Sequence, residues 1–143
     1  MKSVLAAIFA LALPIQALAD TTLIDIGKLP SKQVYGTAFV TPLAVSPSGQ
    51  PAIVVLDVES GKVVPPHATK SGLRLLTVLS GDMSWGDGSD VDEKKETVYP
   101  PGSFLTVPAG KDHWLAARSD PVRIQLVVLE EEKPVPGIVE QMK

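Results

Sequence analysis

An all-β sandwich or barrel is the fold class this chain predicts, and three observations predict it. Apolar residues come in short, β-branched runs broken by turns, with 11 glycines and 13 prolines among 143 residues. Beyond the N-terminal segment, no stretch of helical length keeps an apolar period of about 3.6 residues. Cysteine is absent, so no disulfide framework organises the fold, and a chain of this length buries a core without one.

The first element is not part of that fold. Met1-Lys2-Ser3, an apolar run over 4–13, Pro14 and the small-x-small sequence Ala17-Leu18-Ala19 before Asp20 read as a Sec-type signal peptide over 1–19, cleaved after Ala19. The run is too short to span a bilayer, and without cysteine no lipid anchor follows it. The expected product, 20–143, is one domain, periplasmic or secreted, with no membrane attachment after processing. A net charge of −3 and the lack of a basic patch argue against nucleic acid and anionic membrane surfaces as partners.

Taken in order, 22–26 and 34–40 are predicted strands around a turn at 27–31. Thr41-Pro42 and the Ser, Pro and Gly residues of 46–51 punctuate the chain. The run Ala-Ile-Val-Val-Leu-Asp-Val over 52–58 is predicted as a buried strand, and 73–79 as another, closing through Ser80-Gly81-Asp82 into a hairpin with 83–85. Residues 86–95 form a polar loop whose acidic residues lack the spacing and glycine of a calcium-binding EF-hand, so they read as a solvated face. Strands at 97–99, 104–107, 114–117 and 122–129 complete the set, and 130–143 form a tail. The apolar 22–26 segment is the candidate edge for a homodimer. Both indoles, Trp85 and Trp114, are expected in the core or sheet packing, with Trp114, beside His113, close to the pocket.

The stretch 61–117 holds both histidines. His67 lies in the frame Gly61, His67, Thr69, Arg74, Gly81; His113 lies in the frame Gly102, Pro108, Gly110, His113. The glycines and Pro108 also read simply as turn residues. Together the frames resemble the two motifs of the cupin superfamily. Gly61, His67 and Gly81 match the first motif, and Gly102, Pro108, Gly110 and His113 match the second at full spacing. The resemblance implies a single-domain, double-stranded β-helix (jelly-roll) barrel, in which the family's histidines and glutamate bind a metal. Thr69 stands where the family has a second His, Arg74 where it has Glu, and Ala117 where it has Asn.

Those departures shape the functional expectation. His67 and His113 alone make a weak divalent site for Fe, Mn, Zn or Ni, since zinc and iron sites use about three or more protein ligands. An inward Arg74 repels a dication and suits a carboxylate or phosphate, with Thr69 and the imidazoles adding hydrogen bonds. If Arg74 points inward, Leu76 and Val78 point inward with it. Arg74 pairing with Glu59 or Asp112 at the mouth would remove this argument. The first expectation is an exported protein that binds a small anionic or polar molecule around His67, His113, Arg74 and Thr69. The alternatives are a metal-dependent dioxygenase, isomerase or decarboxylase, with Asp57, Asp112 or Gln125 as substitute ligand, and a sensory or scaffold barrel. No nucleophile motif and no phosphate-binding glycine loop is present in the sequence.

Overall fold

The structure, a computed structural model, describes residues 21–130. The predicted signal peptide, and the predicted tail beyond Glu130, lie outside the described residues. Among the described residues ten strands form two antiparallel sheets. In chain order they are β1 (Lys32–Val34), β2 (Ala38–Val45), β3 (Pro51–Val58), β4 (Val63–His67), β5 (Leu73–Ser80), β6 (Met83–Asp87), β7 (Thr97–Tyr99), β8 (Phe104–Pro108), β9 (His113–Ala116) and β10 (Val122–Leu129). A six-stranded sheet runs β1-β2-β3-β10-β5-β8, and a four-stranded sheet runs β4-β9-β6-β7.

The core is made where the two inner faces meet. Leu56, Val58, Leu76, Val78 and Ile124 from the larger sheet pack with Met83, Trp85 and Leu115 from the smaller. Alternation along β5 and β10 buries these residues and turns Thr77 and Gln125 to the other face. Leu76 and Val78 are each 1% exposed, so they point inward as expected.

Three local predictions differ from the structure. The 22–26 segment is not a strand: Leu23 and Ile24 are exposed, and a short 3-10 turn, Ile26–Lys28, follows under an Asp25 cap. That segment therefore offers no sheet edge to a second copy. The predicted 34–40 strand is a hairpin: Val34 pairs with Ala38 across Tyr35, Gly36 and Thr37, and Tyr35 (φ 53°) and Gly36 (φ 67°) both adopt the left-handed conformation that reverses the chain. Pro42, expected to break the chain, sits inside β2 beside a register irregularity that absorbs its missing N–H. A fourth feature, β4, has no counterpart among the predicted strands. It contains Pro65 and Pro66 and survives because it is an edge strand, paired only with β9.

Candidate functional site

The β4–β9 pairing builds the centre of the site. Val64 lies opposite Leu115 and His67 opposite His113, so two residues, Pro65 and Pro66, face one on β9. This bulge shifts the side-chain alternation by one position, which puts His67 on the same inner face as Val64. His67 and His113 thus become a cross-strand pair with ring centroids 4.6 Å apart and planes at 61°. Trp85, diagonal to His113 across β6 and β9, stacks on it at 4.6 Å and 13°. Tyr35, at the tip of the first hairpin, covers His67 at 4.9 Å.

Both imidazoles are tethered in the same way. His67 Nδ1 lies 2.9 Å from the Pro65 carbonyl, and His113 Nδ1 lies 3.0 Å from the Lys111 carbonyl. A carbonyl only accepts, so each Nδ1 carries a proton, and in the uncharged ring Nε2 is a bare lone pair. Burial pushes His113 below its ordinary 6.5, against the opposing pull of the Lys111 carbonyl, so this ring stays neutral at neutral pH.

These rings line a cavity of about 270 Å³ between the sheets. Its wall is mostly aliphatic, including Val40, Leu56, Leu76 and Ile124, and its polar members are Tyr35, His67, Thr69, Arg74 and His113. The four residues singled out in the sequence therefore converge on one cavity. Arg74 reaches it from β5; one guanidinium nitrogen donates to the Ser71 carbonyl at 3.2 Å, and no carboxylate pairs with it among the described residues. Burial lowers Arg74 from the ordinary guanidinium range without threatening its charge. Thr69 Oγ1 is buried with no hydrogen-bond partner among the described residues. Its loop is held against the turn before β9 by the bond from Gly110 N to Thr69 O, 2.9 Å.

The residues proposed as substitute metal ligands lie elsewhere. Asp57 is ion-paired with Arg123 at 2.6 Å, and Gln125 alternates with the cavity-lining Ile124 and Leu126, so it faces away. Asp112 lies outside this cavity, in an adjoining open cleft with Asp87 and Lys111 that shares Trp85, Val107 and His113 with it. Among the described residues no group of three His, Cys, Asp or Glu side chains converges, and Arg74 lines the same cavity as the two imidazoles. Side chains of this kind do not by themselves make a resident divalent-metal site.

Sequence reasoning placed the wrong indole near the pocket. Trp85 lines the cavity, whereas Trp114, one residue past His113, points to the opposite face and donates to Glu96 at 2.9 Å. Strand alternation from His113 was the available signal. Tyr35 was also missed; its only sequence mark is the Tyr-Gly pair of the hairpin turn.

No protein-family model matches the chain, and no curated protein matches its sequence. The similarity is in three dimensions. A predicted oxalate decarboxylase from Thermotoga maritima superposes with a TM-score of 0.62 at 9% identity, over 76% of this chain and 99% of the other. An uncharacterised protein with a double-stranded beta-helix domain from Klebsiella pneumoniae gives 0.59 at 15% identity, over 80% and 95% of the two chains. A cupin 2 conserved barrel domain protein from Leptotrichia buccalis gives 0.54 at 19% identity, over 69% of this chain and 44% of its own longer chain. The fold is thus a double-stranded β-helix barrel. The chain is a cupin-fold protein, and on that fold chemistry is decided by the site.

Proposed function

We propose that this is an exported cupin-fold protein that binds a small anionic molecule, a carboxylate, inside the barrel around His67, Thr69, Arg74 and His113. One observation carries the reading: Arg74, half-buried and without a carboxylate partner among the described residues, lines an otherwise largely apolar cavity as well as the open cleft beside it that holds Ser71. A planar donor fork in low dielectric selects a carboxylate, and the aliphatic wall strengthens that contact and accepts an apolar body. The unmet hydrogen bond of Thr69 Oγ1 is a local cost that a polar ligand group would relieve.

Titration calorimetry of the parent and of Arg74→Gln with short monocarboxylates, and with their neutral amides, tests this. The carboxylates bind the parent and lose roughly thirtyfold in affinity in the variant, equivalent to about 2 kcal/mol. Because Arg74 holds no ion pair among the described residues, the ligand-free variant melts close to the parent. Amides binding as well as carboxylates, or no carboxylate binding at all, would sink the proposal.

The second reading, a divalent-metal enzyme, is favoured by the two Nε2 lone pairs that the Nδ1 tethers leave free on His67 and His113. It requires another donor, which a bound ligand would have to bring. Carboxylate binding that persists with a chelator present separates the two readings in favour of Arg74.

A further inference from the structure

We infer that the ligand is a hydroxy acid: its carboxylate meets Arg74, and a hydroxyl on its body donates to the imidazole lone pairs of His67 or His113. The inference rests on the carboxylate reading above and adds what the other half of the cavity demands. Arg74 offers donors only. The two imidazoles, each with Nδ1 committed to a backbone carbonyl, offer acceptors only in their uncharged form. No protein donor meets either Nε2 among the described residues, although both rings line the cavity.

The donor and acceptor pattern excludes three neighbouring classes. A plain hydrocarbon acid meets Arg74 but leaves both lone pairs desolvated and unmatched, which costs affinity. A dicarboxylate places a second anion against those lone pairs. An amino acid satisfies them with N–H donors, yet buries an ammonium where no carboxylate lines the cavity. A hydroxyl donates without bringing a charge. Burial of His113, at 5% exposure, together with its stack on Trp85, holds that acceptor in place rather than letting it turn toward water.

Four acids of one shape read this out: phenylacetate, mandelate, phenylglycine and phenylmalonate, which differ only in the group beside the carboxylate. An aliphatic set (isovalerate, 2-hydroxyisovalerate, valine and isopropylmalonate) repeats the comparison in a smaller body. Affinities are measured by calorimetry at about pH 8, above the ordinary range of a free imidazole, with a chelator present so that no metal contributes. The hydroxy acid is expected to bind about tenfold more tightly than the plain acid, with the dicarboxylate and the amino acid weaker than the hydroxy acid. In His67→Phe or His113→Phe the ratio of hydroxy-acid to plain-acid affinity falls toward one, and a circular-dichroism melt of each variant reports whether the barrel is intact.

Equal affinity for plain and hydroxy acids overturns the hydroxyl assignment and leaves the carboxylate reading standing. Tighter binding of the amino acid or the dicarboxylate also overturns it. Failure of every acid in both sets brings down the carboxylate reading itself.

Discussion

Gly86→Ala is expected to destabilise the barrel by about 3 kcal/mol or more, and to do so without touching the cavity wall. Gly86 on β6 lies opposite Trp114 on β9, and a Cβ built at Gly86 falls within the Trp114 indole. The residue is not among those with positive φ, so the restriction is one of space rather than of backbone conformation. The ring has nowhere to go: it is 1% exposed and pinned through Nε1 to Glu96. Urea unfolding of Gly86→Ala, Trp114→Leu and the double variant checks this. The double variant should be more stable than the two single losses summed, because removing the ring removes the collision. A Gly86→Ala protein unfolding within about 0.5 kcal/mol of the parent would refute the argument.

The second large effect lies next to the first. Glu96→Gln should cost about 2 to 3 kcal/mol at neutral pH and flatten the acid limb of the stability curve. The Glu96 side chain is 5% exposed and that of Arg118 31%. The carboxylate accepts from Arg118 Nε at 3.0 Å and from Trp114 Nε1 at 2.9 Å. The Arg118 hydrogen bonds, followed by the smaller pull of Trp114 and against the opposing effect of burial, hold Glu96 below its ordinary 4.5. The unfolded chain therefore takes up this proton first on acidification. The contribution is complete above about 4.5 and is lost as pH falls toward the folded value. In Glu96→Gln, Arg118 keeps only the exposed Glu93 at 3.0 Å, and its partial exposure limits the loss.

His113 adds an independent slope of the same sign. Its folded value is below 6.5, so stability falls as pH drops from 6.5 toward that value, in the variant as in the parent. Thermal melts from neutral to acidic pH should thus show the two proteins declining in parallel near pH 6 and converging below about 4.5, as the parent loses the Glu96 contribution. Curves parallel throughout would remove Glu96 from this role.

The sequence revealed most where backbone constraint and chemistry coincide. The motif glycines Gly61, Gly81, Gly102 and Gly110 all take positive φ, and Gly81 is further confined because a Cβ there would strike the Pro121 carbonyl. The two histidine frames placed His67, Thr69, Arg74 and His113 around one cavity although no pairing between the strands was known. What stayed hidden depends on register. The prolines of β4 argue against a strand unless its edge position is known, and only the bulge opposite Trp114 shows why His67 faces inward. Trp85 and Tyr35 became cavity residues through a diagonal cross-strand contact and a hairpin turn, neither of which composition reveals. The exposed segment 22–26 carried an apolar run that propensity alone reads as a strand.

The adjacent prolines that turn His67 inward also bear on how the molecule behaves in a crowded solution. An incoming chain that tries to extend the smaller sheet at β4 meets two successive positions without an N–H, so the ladder cannot grow there. The far edge of that sheet, β7, is three residues long, as is β1 on the larger sheet. One five-residue edge, β8, remains, and it ends in Pro108. A single dipeptide thus both aims a side chain into the cavity and helps make the barrel a poor template for fibrous aggregation.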